Sequence, residues 1–333
     1  MNPGASIGIK ISAISYFLPE TIVSNDDLSR KFGTSSSEIF KKTGVKERRR
    51  TLPDFLMSDM AFEAAQQVFD QYPDKKMNVD AILLVGHGFE YKAPVTSALL
   101  QHRLGLPTDC FVTDIPHGCT GYIYGLSLAK GLLHARIAKS VLLLTADTPS
   151  YVIDQNDEDL LSLFGDSATA SIIESVNGIK EEFIFGTNGS GADFLMVKKS
   201  GTRNPPKVEW IIESGLAYGK MEMKSTEIFT FALKTVPKLV KDILDKNQLD
   251  MEEIDFFVFH QANSFLLEVL RKKLKIPQER FFNDIIFTGN TVSSSIPIAL
   301  KNAEKNGVLK RGMKVMLAGF GLGLTWGGTV ITY

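Results

Sequence analysis

The chemistry that this sequence could perform centres on Cys119, which lies in the run His117-Gly118-Cys119-Thr120-Gly121. An apolar stretch with helical character follows it directly. At the start of a helix, unpaired backbone N–H groups and the positive end of the helix dipole favour the thiolate, the nucleophilic form of cysteine. Cys119 is therefore a candidate nucleophile. A plain buried thiol is the alternative interpretation of this segment alone.

His260 and Asn290 are candidate hydrogen-bond donors to a substrate. His260 follows an apolar run typical of a buried strand, and α/β folds place ligands at the carboxyl ends of such strands. Asn290 lies in Thr288-Gly289-Asn290-Thr291. Taken singly, a histidine in such a position is more often structural, and an asparagine beside a glycine is more often a turn residue.

A weak internal repeat places Cys119 and Asn290 at equivalent positions of its two copies. Each copy runs from an apolar strand through a helical stretch to a proline, then to an Asp or Asn, and then to the special residue. The landmarks are residues 80–84, Pro107, Asp114 and Cys119 in the first copy, and residues 255–259, Pro277, Asn283 and Asn290 in the second. The last step spans 12 positions (107 to 119) in one copy and 13 (277 to 290) in the other. One unit used twice, with a Cys from one half and a His and Asn from the other, suggests an enzyme acting on thioesters.

Composition excludes several other classes of protein. With 333 residues, 44% hydrophobic residues and a formal charge of -1, the chain is an ordinary globular protein without the basic surface that nucleic acid requires. Cys110 and Cys119 are too few for a disulfide framework and lack zinc-ligand spacing, and no metal or cofactor motif is present. Met1 to Glu20 has no secretory pattern and no stretch has the length of a membrane span, so we expect a cytoplasmic protein.

Strand-like and helix-like segments alternate along the chain, which predicts an α/β fold with buried sheets. The predicted strands are Ile7–Ile14, Val79–Val85, Val141–Thr145, Ala168–Ile173, Ile254–Phe259, Met313–Leu317 and Thr325–Thr332. The predicted helices are Met57–Phe69, Thr96–Leu104, Gly121–His134, Ser225–Leu244, Ser264–Leu274 and Ile296–Glu304. The polar stretch Ser175 to Glu182 predicts a boundary between halves 1–176 and 177–333.

Glycine clusters mark places of close backbone approach. Phe164-Gly165-Asp166 and the loop 319–328 lack the Lys-Ser or Lys-Thr of a phosphate loop. We expect the second cluster to bring a backbone N–H against a reacting centre. Gly121 and Gly125, one turn apart, predict the close approach of another helix.

Taken together, these segments resemble the β-ketoacyl-acyl-carrier-protein synthase III family of the thiolase-like superfamily. The motifs that carry the resemblance are Leu18-Pro19-Glu20, Lys42-Thr43-Gly44-Val45, Gly118-Cys119-Thr120-Gly121, Phe164-Gly165-Asp166, His260-Gln261-Ala262-Asn263, Gly289-Asn290-Thr291 and residues 320–327. The resemblance implies a five-layered αβαβα fold built from two duplicated halves, a homodimer, and Cys119, His260 and Asn290 as the catalytic set.

The resemblance also implies a mechanism. Cys119 attacks an acyl thioester, and the N–H groups of Cys119 and Leu322 hold the oxyanion. A malonyl thioester on acyl carrier protein then loses carbon dioxide, with His260 and Asn290 stabilising the enolate that attacks the acyl-Cys. Leu322 departs from the usual glycine, but its N–H is retained. The expected pathway is fatty-acid or specialised-lipid synthesis.

Three donor-binding positions depart from the family pattern. Glu38 stands where a Trp usually stacks on adenine, Glu158 replaces an Arg on the other side of that ring, and Lys42 replaces an Arg. The two anions would repel nucleotide phosphates, and the lysine lacks the bidentate fork of arginine. We therefore expect acetyl-CoA to be a poor donor, and a carrier-bound or different thioester to be the natural one.

Two further departures concern the acyl group and the carrier protein. Ala93 replaces a Phe that, in short-chain enzymes of the family, limits the acyl pocket from the partner subunit, which predicts longer acyl groups. Lys272 and Lys273 match part of the patch that meets acyl carrier protein, whereas Phe265 and Thr230 replace basic residues there. A solvated helix face is the alternative explanation of the lysine pair.

Other functions remain open on the sequence. The same fold could transfer the acyl group to a hydroxyl or amine with His260 as base. The chain could also be a subunit of a heteromeric ketosynthase, although the complete Cys-His-Asn set argues against a silent one. A true thiolase is disfavoured because the loop 319–328 has no second Cys. His87 and His117 are assigned to structure.

Overall fold

The computed structural model describes residues 7–178, 180–205 and 219–333. Residues 1–6 of the segment assessed for a signal, and residue 179 of the expected boundary, lie outside the described residues. Within these ranges the strands are β1 (Ile7–Phe17), β2 (Thr21–Ser24), β3 (Glu47–Arg50), β4 (Ala81–Val85), β5 (Phe111–Ile115), β6 (Ser140–Asp147), β7 (Ser167–Asn177), β8 (Ile184–Thr187), β9 (Leu195–Val197), β10 (Met221–Met223), β11 (Phe256–Phe259), β12 (Lys314–Gly321) and β13 (Thr325–Thr332).

The helices of the same ranges are α1 (Asn25–Phe32), α2 (Ser36–Thr43), α3 (Met57–Gln71), α4 (Pro73–Lys76), α5 (Thr96–Leu104), α6 (Gly121–His134), α7 (Glu158–Leu163), α8 (Ser225–Asn247), α9 (Ser264–Lys273) and α10 (Ser295–Lys305). Three helices that border the candidate site begin after side chains that accept backbone N–H bonds: Ser35 for α2, Asp157 for α7 and Asn263 for α9. Each such cap contributes about 1 kcal/mol to stability.

Two sheets form the framework. The larger has the order β1-β7-β6-β4-β5, with β4 parallel to both β5 and β6. The smaller has the order β11-β12-β13-β8, with β11 parallel to β12. The strands of the larger sheet all precede residue 178, and those of the smaller all follow residue 183. The division of the chain into 1–176 and 177–333 stays a prediction.

Successive side chains of the central strands point to opposite faces of each sheet, and the cores on these faces define five layers. In β4, Ala81 and Leu83 face the middle core, whereas Ile82 and Leu84 face α3 and α5. In β11, Phe256 and Val258 face the same middle core, and the intervening residues face α8 and α9. The middle core also holds α6 and α10, between the two sheets. The expected αβαβα fold is confirmed.

The duplication extends to details of the backbone and to polar contacts. Gly105 and Lys275, which occupy the same place in the repeat, both have a left-handed backbone, with φ 64° and 56°. The Asp114 carboxylate accepts the backbone N–H groups at the start of α5, and the Asn283 amide donates to the Ser264 hydroxyl at the start of α9. Equivalent residues thus hold equivalent helices to equivalent strands, which confirms the two duplicated halves.

Most expected elements are present with small shifts of their ends. The predicted strands Ala168–Ile173 and Met313–Leu317 belong to the longer β7 and β12. The expectation for Gly121 and Gly125 is wrong, because these glycines face strands and not another helix. A Cβ on Gly121 would lie 2.4 Å from Val85 of β4, and one on Gly125 would lie 2.5 Å from Leu143 of β6. Among the described residues, no helix is long and apolar enough to cross a membrane.

Candidate active site

Cys119 is buried in the turn between β5 and α6, against the end of β12. Thr120 is the N-cap of α6, so the cysteine precedes the helix instead of lying in its first turn. A Cβ on Gly321 would lie 2.9 Å from the Cys119 sulfur, and one on Gly319 would lie 3.0 Å from the Cys119 carbonyl oxygen. These glycines therefore permit the close backbone approach expected of the loop 319–328.

The surroundings of the Cys119 sulfur disfavour its ionised form. Burial raises the pKa of Cys119 to about 12, and the nearby Asp147 carboxylate opposes ionisation further. The nearby backbone N–H groups of Leu322 and Cys119 lower the pKa of the thiol, but they offset only part of the rise. Burial therefore opposes the thiolate that the helix start was expected to favour. The oxyanion hole formed by the N–H groups of Cys119 and Leu322 stays a prediction.

His260 follows β11 and is buried and neutral. Burial alone lowers the pKa of its imidazole to about 3. Its backbone N–H donates to Ala318 of β12 at 2.8 Å, and its ring meets the edge of Phe320 at 5.8 Å between centroids. The imidazole Nδ1 lies 2.7 Å from the Ser295 hydroxyl. The ring is thus held from both the strand and helix α10.

Asn290 is positioned by the Phe164-Gly165-Asp166 motif. Its backbone N–H donates to Leu163 at 2.8 Å, and the Gly165 N–H donates to its carbonyl at 3.1 Å, which makes a short parallel bridge. In the side chain, the oxygen accepts the Val292 N–H at 2.9 Å and the amide donates to the Ala262 carbonyl at 3.3 Å. Within the ranges that the structure describes, this amide donates no second hydrogen bond.

The three candidate catalytic residues lie around one end of β12. Gly321 touches the cysteine sulfur, Phe320 touches the His260 ring, and the Asn290 amide binds the carbonyl of Ala262, two residues after that histidine. The turn before α6, from the first half, therefore meets three segments of the second half: β12, the residues that follow β11 and the loop that contains Asn290. The arrangement can hold a thioester against a thiol, two N–H groups, a neutral imidazole and an amide.

Sequence reasoning missed the residues that support this centre. Asp147, at the end of β6, is buried, accepts both the N–H and the hydroxyl of Ser293, and lies 3.4 Å from His87 Nδ1. Ser294 bonds Thr145 of the same strand, and Ser295 bonds His260. The run of three serines, residues 293–295, at the start of α10 was the available signal.

The two histidines assigned to structure differ in their surroundings. His117 stacks on Tyr124 at 4.0 Å between centroids, and its Nδ1 lies 3.1 Å from the Thr120 hydroxyl. Burial lowers the pKa of His117. His87 is part-exposed, and a Cβ on Gly118 would lie 3.0 Å from its ring. His117 belongs to the segment that precedes Cys119, and the His87 ring packs beside that segment.

The expected donor-binding residues lie together where α2 meets α7. Glu38 accepts the N–H and hydroxyl of Ser35 and so completes the N-terminal capping box of α2. Glu158 accepts a hydrogen bond from Thr34, and Lys42 lies 3.6 Å from Asp159. Both glutamates thus have structural partners, and the lysine charge faces a carboxylate of the chain itself.

Ala93 and the lysine pair lie at two other places on the surface. Ala93 is exposed in the single chain, in the segment before α5, which the Thr96 N–H ties to Asp114 of β5. Lys272 lies 3.3 Å from Glu268 one turn away, and Lys273 donates to the Leu233 carbonyl at 3.0 Å. Phe265 is exposed and stacks on Phe229. In the ranges that the structure describes, no cluster of acidic, Cys or His side chains could hold a metal ion.

Sequence relatives cover the chain almost completely. The 3-oxoacyl-[acyl-carrier-protein] synthase III C-terminal family model matches residues 244–333, and the 3-oxoacyl-[acyl-carrier-protein] synthase III model matches residues 113–189. The β-ketoacyl-[acyl-carrier-protein] synthase III of Fusobacterium nucleatum is 34% identical over 330 residues, 98% of this chain and 99% of the relative. The enzyme of that name from Clostridium acetobutylicum is 34% identical over 328 residues, 98% of each chain.

Solved structures agree with these relatives. A crystal structure of a 3-oxoacyl-(acyl-carrier-protein) synthase III is similar to this chain with a TM-score of 0.93 and 38% identity, covering 98% of this chain and 99% of the other. A 3-oxoacyl-(acyl-carrier protein) synthase from Burkholderia xenovorans gives 0.90 and 32%, covering 98% and 95%. Fold and relatives together define an acyltransferase of the condensing, thiolase-like class. The chain belongs to the β-ketoacyl-acyl-carrier-protein synthase III family.

Proposed function

We propose that this protein moves an acyl group from a thioester to Cys119 and then joins it to a malonyl thioester by decarboxylative condensation. One observation carries the proposal: adjacent residues of β12 touch the two chemical centres. Gly321 lies against the cysteine sulfur, and Phe320 lies against the neutral imidazole of His260. A nucleophile and a hydrogen-bond donor so placed can act in turn on the acyl donor and on the malonyl thioester that follows it.

In the first half-reaction, the Cys119 sulfur attacks the donor carbonyl. The N–H groups of Cys119 and Leu322, both close to the sulfur, stabilise the oxyanion. The S–H proton passes to the departing thiol, so the products are the acyl-enzyme and the free carrier thiol. Because burial raises the pKa of the thiol, this proton has to leave the sulfur as the bond to the acyl carbon forms.

In the second half-reaction, His260 and Asn290 donate to the thioester oxygen of the malonyl group. Loss of carbon dioxide leaves an enolate whose charge develops on that oxygen, where the two donors stabilise it. The enolate carbon attacks the acyl carbonyl and expels the Cys119 sulfur. An imidazole with a pKa of about 3 is a weak base, which favours condensation over acyl transfer to a hydroxyl or amine that needs His260 as base.

The acyl donor that we propose is not free acetyl-CoA. Glu38, Glu158 and Asp159 place three carboxylates where α2 meets α7, and Lys42 faces the last of them at 3.6 Å. These three carboxylates would repel nucleotide phosphates. Carrier-bound acyl groups avoid the repulsion, and Lys272 and Lys273 are the proposed docking residues for acyl carrier protein, with part of their charge already engaged by Glu268 and Leu233.

The decisive experiment incubates the protein with matched acyl groups of increasing length, each on CoA and on acyl carrier protein. Mass spectrometry of the peptide that contains Cys119 should record the added acyl mass, with carrier-bound donors reacting faster than acetyl-CoA. The Cys119→Ala variant, which lacks the sulfur, should gain no mass. If acetyl-CoA acylates as fast as any carrier substrate, the donor proposal is wrong, and if no donor adds mass, the function is wrong.

A homodimer is the proposed assembly. The outer strand β5 has an unpaired edge in the larger sheet of the single chain, and Phe111 on it is exposed, as are Tyr91 and Val95 nearby. Unpaired edges with apolar surroundings attract a second strand. Pairing of β5 with its copy would carry the segment that contains Ala93 to the partner subunit.

Replacing Ala93 with Phe is expected to shorten the preferred acyl chain, because the larger ring would fill the end of the acyl pocket. Acylation by short donors should stay within a few-fold of wild type, whereas acylation by medium-length donors should fall about 10-fold or more, as expected for steric exclusion from an apolar pocket. The measurement is the same peptide mass assay across chain lengths. An unchanged preference for acyl chain length would mean that Ala93 does not line the acyl pocket.

A further inference from the structure

We propose that Ser295 is a positioning residue that holds His260 in the tautomer with its proton on Nε2. The inference rests on the proposed function for its catalytic meaning, but its structural content stands independently. The Ser295 hydroxyl lies 2.7 Å from His260 Nδ1, and both residues are buried. Ser295 is the first residue of α10, so a helix terminus fixes the oxygen in place.

The direction of this hydrogen bond depends on where the single hydrogen of the Ser295 hydroxyl can go. The backbone N–H of Gln261 donates to the same Ser295 oxygen at 3.3 Å. A backbone N–H can only donate, so the oxygen is the acceptor in that bond, and its one hydrogen remains to be placed. Within the described chain, Nδ1 is the acceptor that the Ser295 hydroxyl reaches. The hydroxyl therefore donates to Nδ1.

The tautomer follows from the neutrality of the ring. A neutral imidazole carries one hydrogen, and an Nδ1 that accepts a hydrogen bond cannot hold it. The hydrogen is then on Nε2, for which no described residue supplies a hydrogen-bond partner. The opposite tautomer would leave the buried Ser295 hydrogen without an acceptor, which proteins avoid.

The consequence concerns the role of His260. With the hydrogen on Nε2, the imidazole presents a donor to the thioester oxygen and no lone pair that could act as a base. The Ser295 contact thus suits enolate stabilisation and opposes acyl transfer to a hydroxyl or amine. Partners that orient an imidazole through its other nitrogen typically change function about 10- to 100-fold when removed.

The first measurement is made on the wild-type protein with ¹⁵N-labelled histidine. Nitrogen NMR separates protonated from unprotonated ring nitrogens, and the signals of His260 are assigned among the five histidines by their loss in His260→Asn. We expect an unprotonated Nδ1 and a protonated Nε2. A protonated Nδ1 in the folded wild type would overturn the inference without any variant.

The second measurement compares Ser295→Ala with Ser294→Ala. The control removes a buried hydroxyl of the same helix start, whose partner is Thr145 at 2.9 Å and not His260. Ser295→Ala should mix the tautomers and slow malonyl decarboxylation about 10- to 100-fold, with acylation of Cys119 retained. Ser295→Thr, which keeps the hydroxyl, should restore the wild-type nitrogen signals, and Ser294→Ala should leave them unchanged.

The outcomes separate this inference from the proposed function. Unchanged nitrogen signals in Ser295→Ala would overturn the role of Ser295 and leave the condensing function intact. Full decarboxylation by His260→Ala would overturn the condensing role of His260, whatever its tautomer. Equal losses of decarboxylation rate in Ser294→Ala and Ser295→Ala would show that Ser295 has only a structural role.

Discussion

Removing either donor of the rear half, as His260→Ala or Asn290→Ala, is expected to slow the release of carbon dioxide from a malonyl thioester about 100- to 1000-fold. The same variants should acylate Cys119 at rates within a few-fold of wild type. In the proposed mechanism the N–H groups of Cys119 and Leu322 hold the oxyanion of acylation, whereas the enolate oxygen depends on the imidazole and the amide.

The measurement runs the two half-reactions separately, with labelled carbon dioxide for decarboxylation and peptide mass for acylation. His117→Ala is the matched control, because it deletes an imidazole near Cys119 whose contacts are Tyr124 and Thr120. We expect this control to keep most of both activities. Equal loss of acylation and decarboxylation in His260→Ala would contradict a division of labour between the two donor sets.

Much of the framework could be predicted because it depends on local pattern. Strands β4 and β6 consist largely of apolar residues, and both strands are buried on both faces. The repeat was visible because its turns obey the same rules twice, as the left-handed residues Gly105 and Lys275 illustrate. Periodicity and turn chemistry act over a few residues, so the sequence displays them directly.

The candidate site was predictable as a set of residues but not as an environment. The state of the Cys119 thiol depends on how completely β12 covers the sulfur and on the approach of Asp147, a residue of β6. The support of His260 by Ser295 joins positions 35 residues apart. Such contacts come from packing between elements, and no local pattern in one sequence encodes which serine of a run will meet which ring.

Glu38, one of the expected donor-binding residues, has two interpretations. Glu38 departs from the family pattern, and the sequence alone suggested altered donor binding. In the folded chain the same carboxylate completes the capping box of α2, which a Trp could not do. A structural gain and a change of donor preference are compatible, since the capped carboxylate keeps its negative charge.

Gly165→Ala is expected to reproduce the Asn290→Ala defect without touching the substrate. A Cβ at this position would lie 2.2 Å from the Thr288 carbonyl oxygen, in the segment that leads to Asn290. Because the obstacle is backbone, the Gly165 to Asn290 bridge must shift. Displacing a catalytic group by about 1 Å can cost about 100-fold in rate, and overpacking should lower the free energy of unfolding by about 1–3 kcal/mol.

The test combines decarboxylation, acylation and chemical denaturation. Gly189→Ala serves as the control, because a Cβ there meets nothing within 4 Å, and it should change stability by less than about 0.5 kcal/mol. Since Gly165 acts through Asn290, the double variant Gly165→Ala with Asn290→Ala should decarboxylate no slower than Asn290→Ala alone. A further loss in the double variant, or a matching loss of acylation in Gly165→Ala, would mean that the motif supports the whole site and does not act through the asparagine.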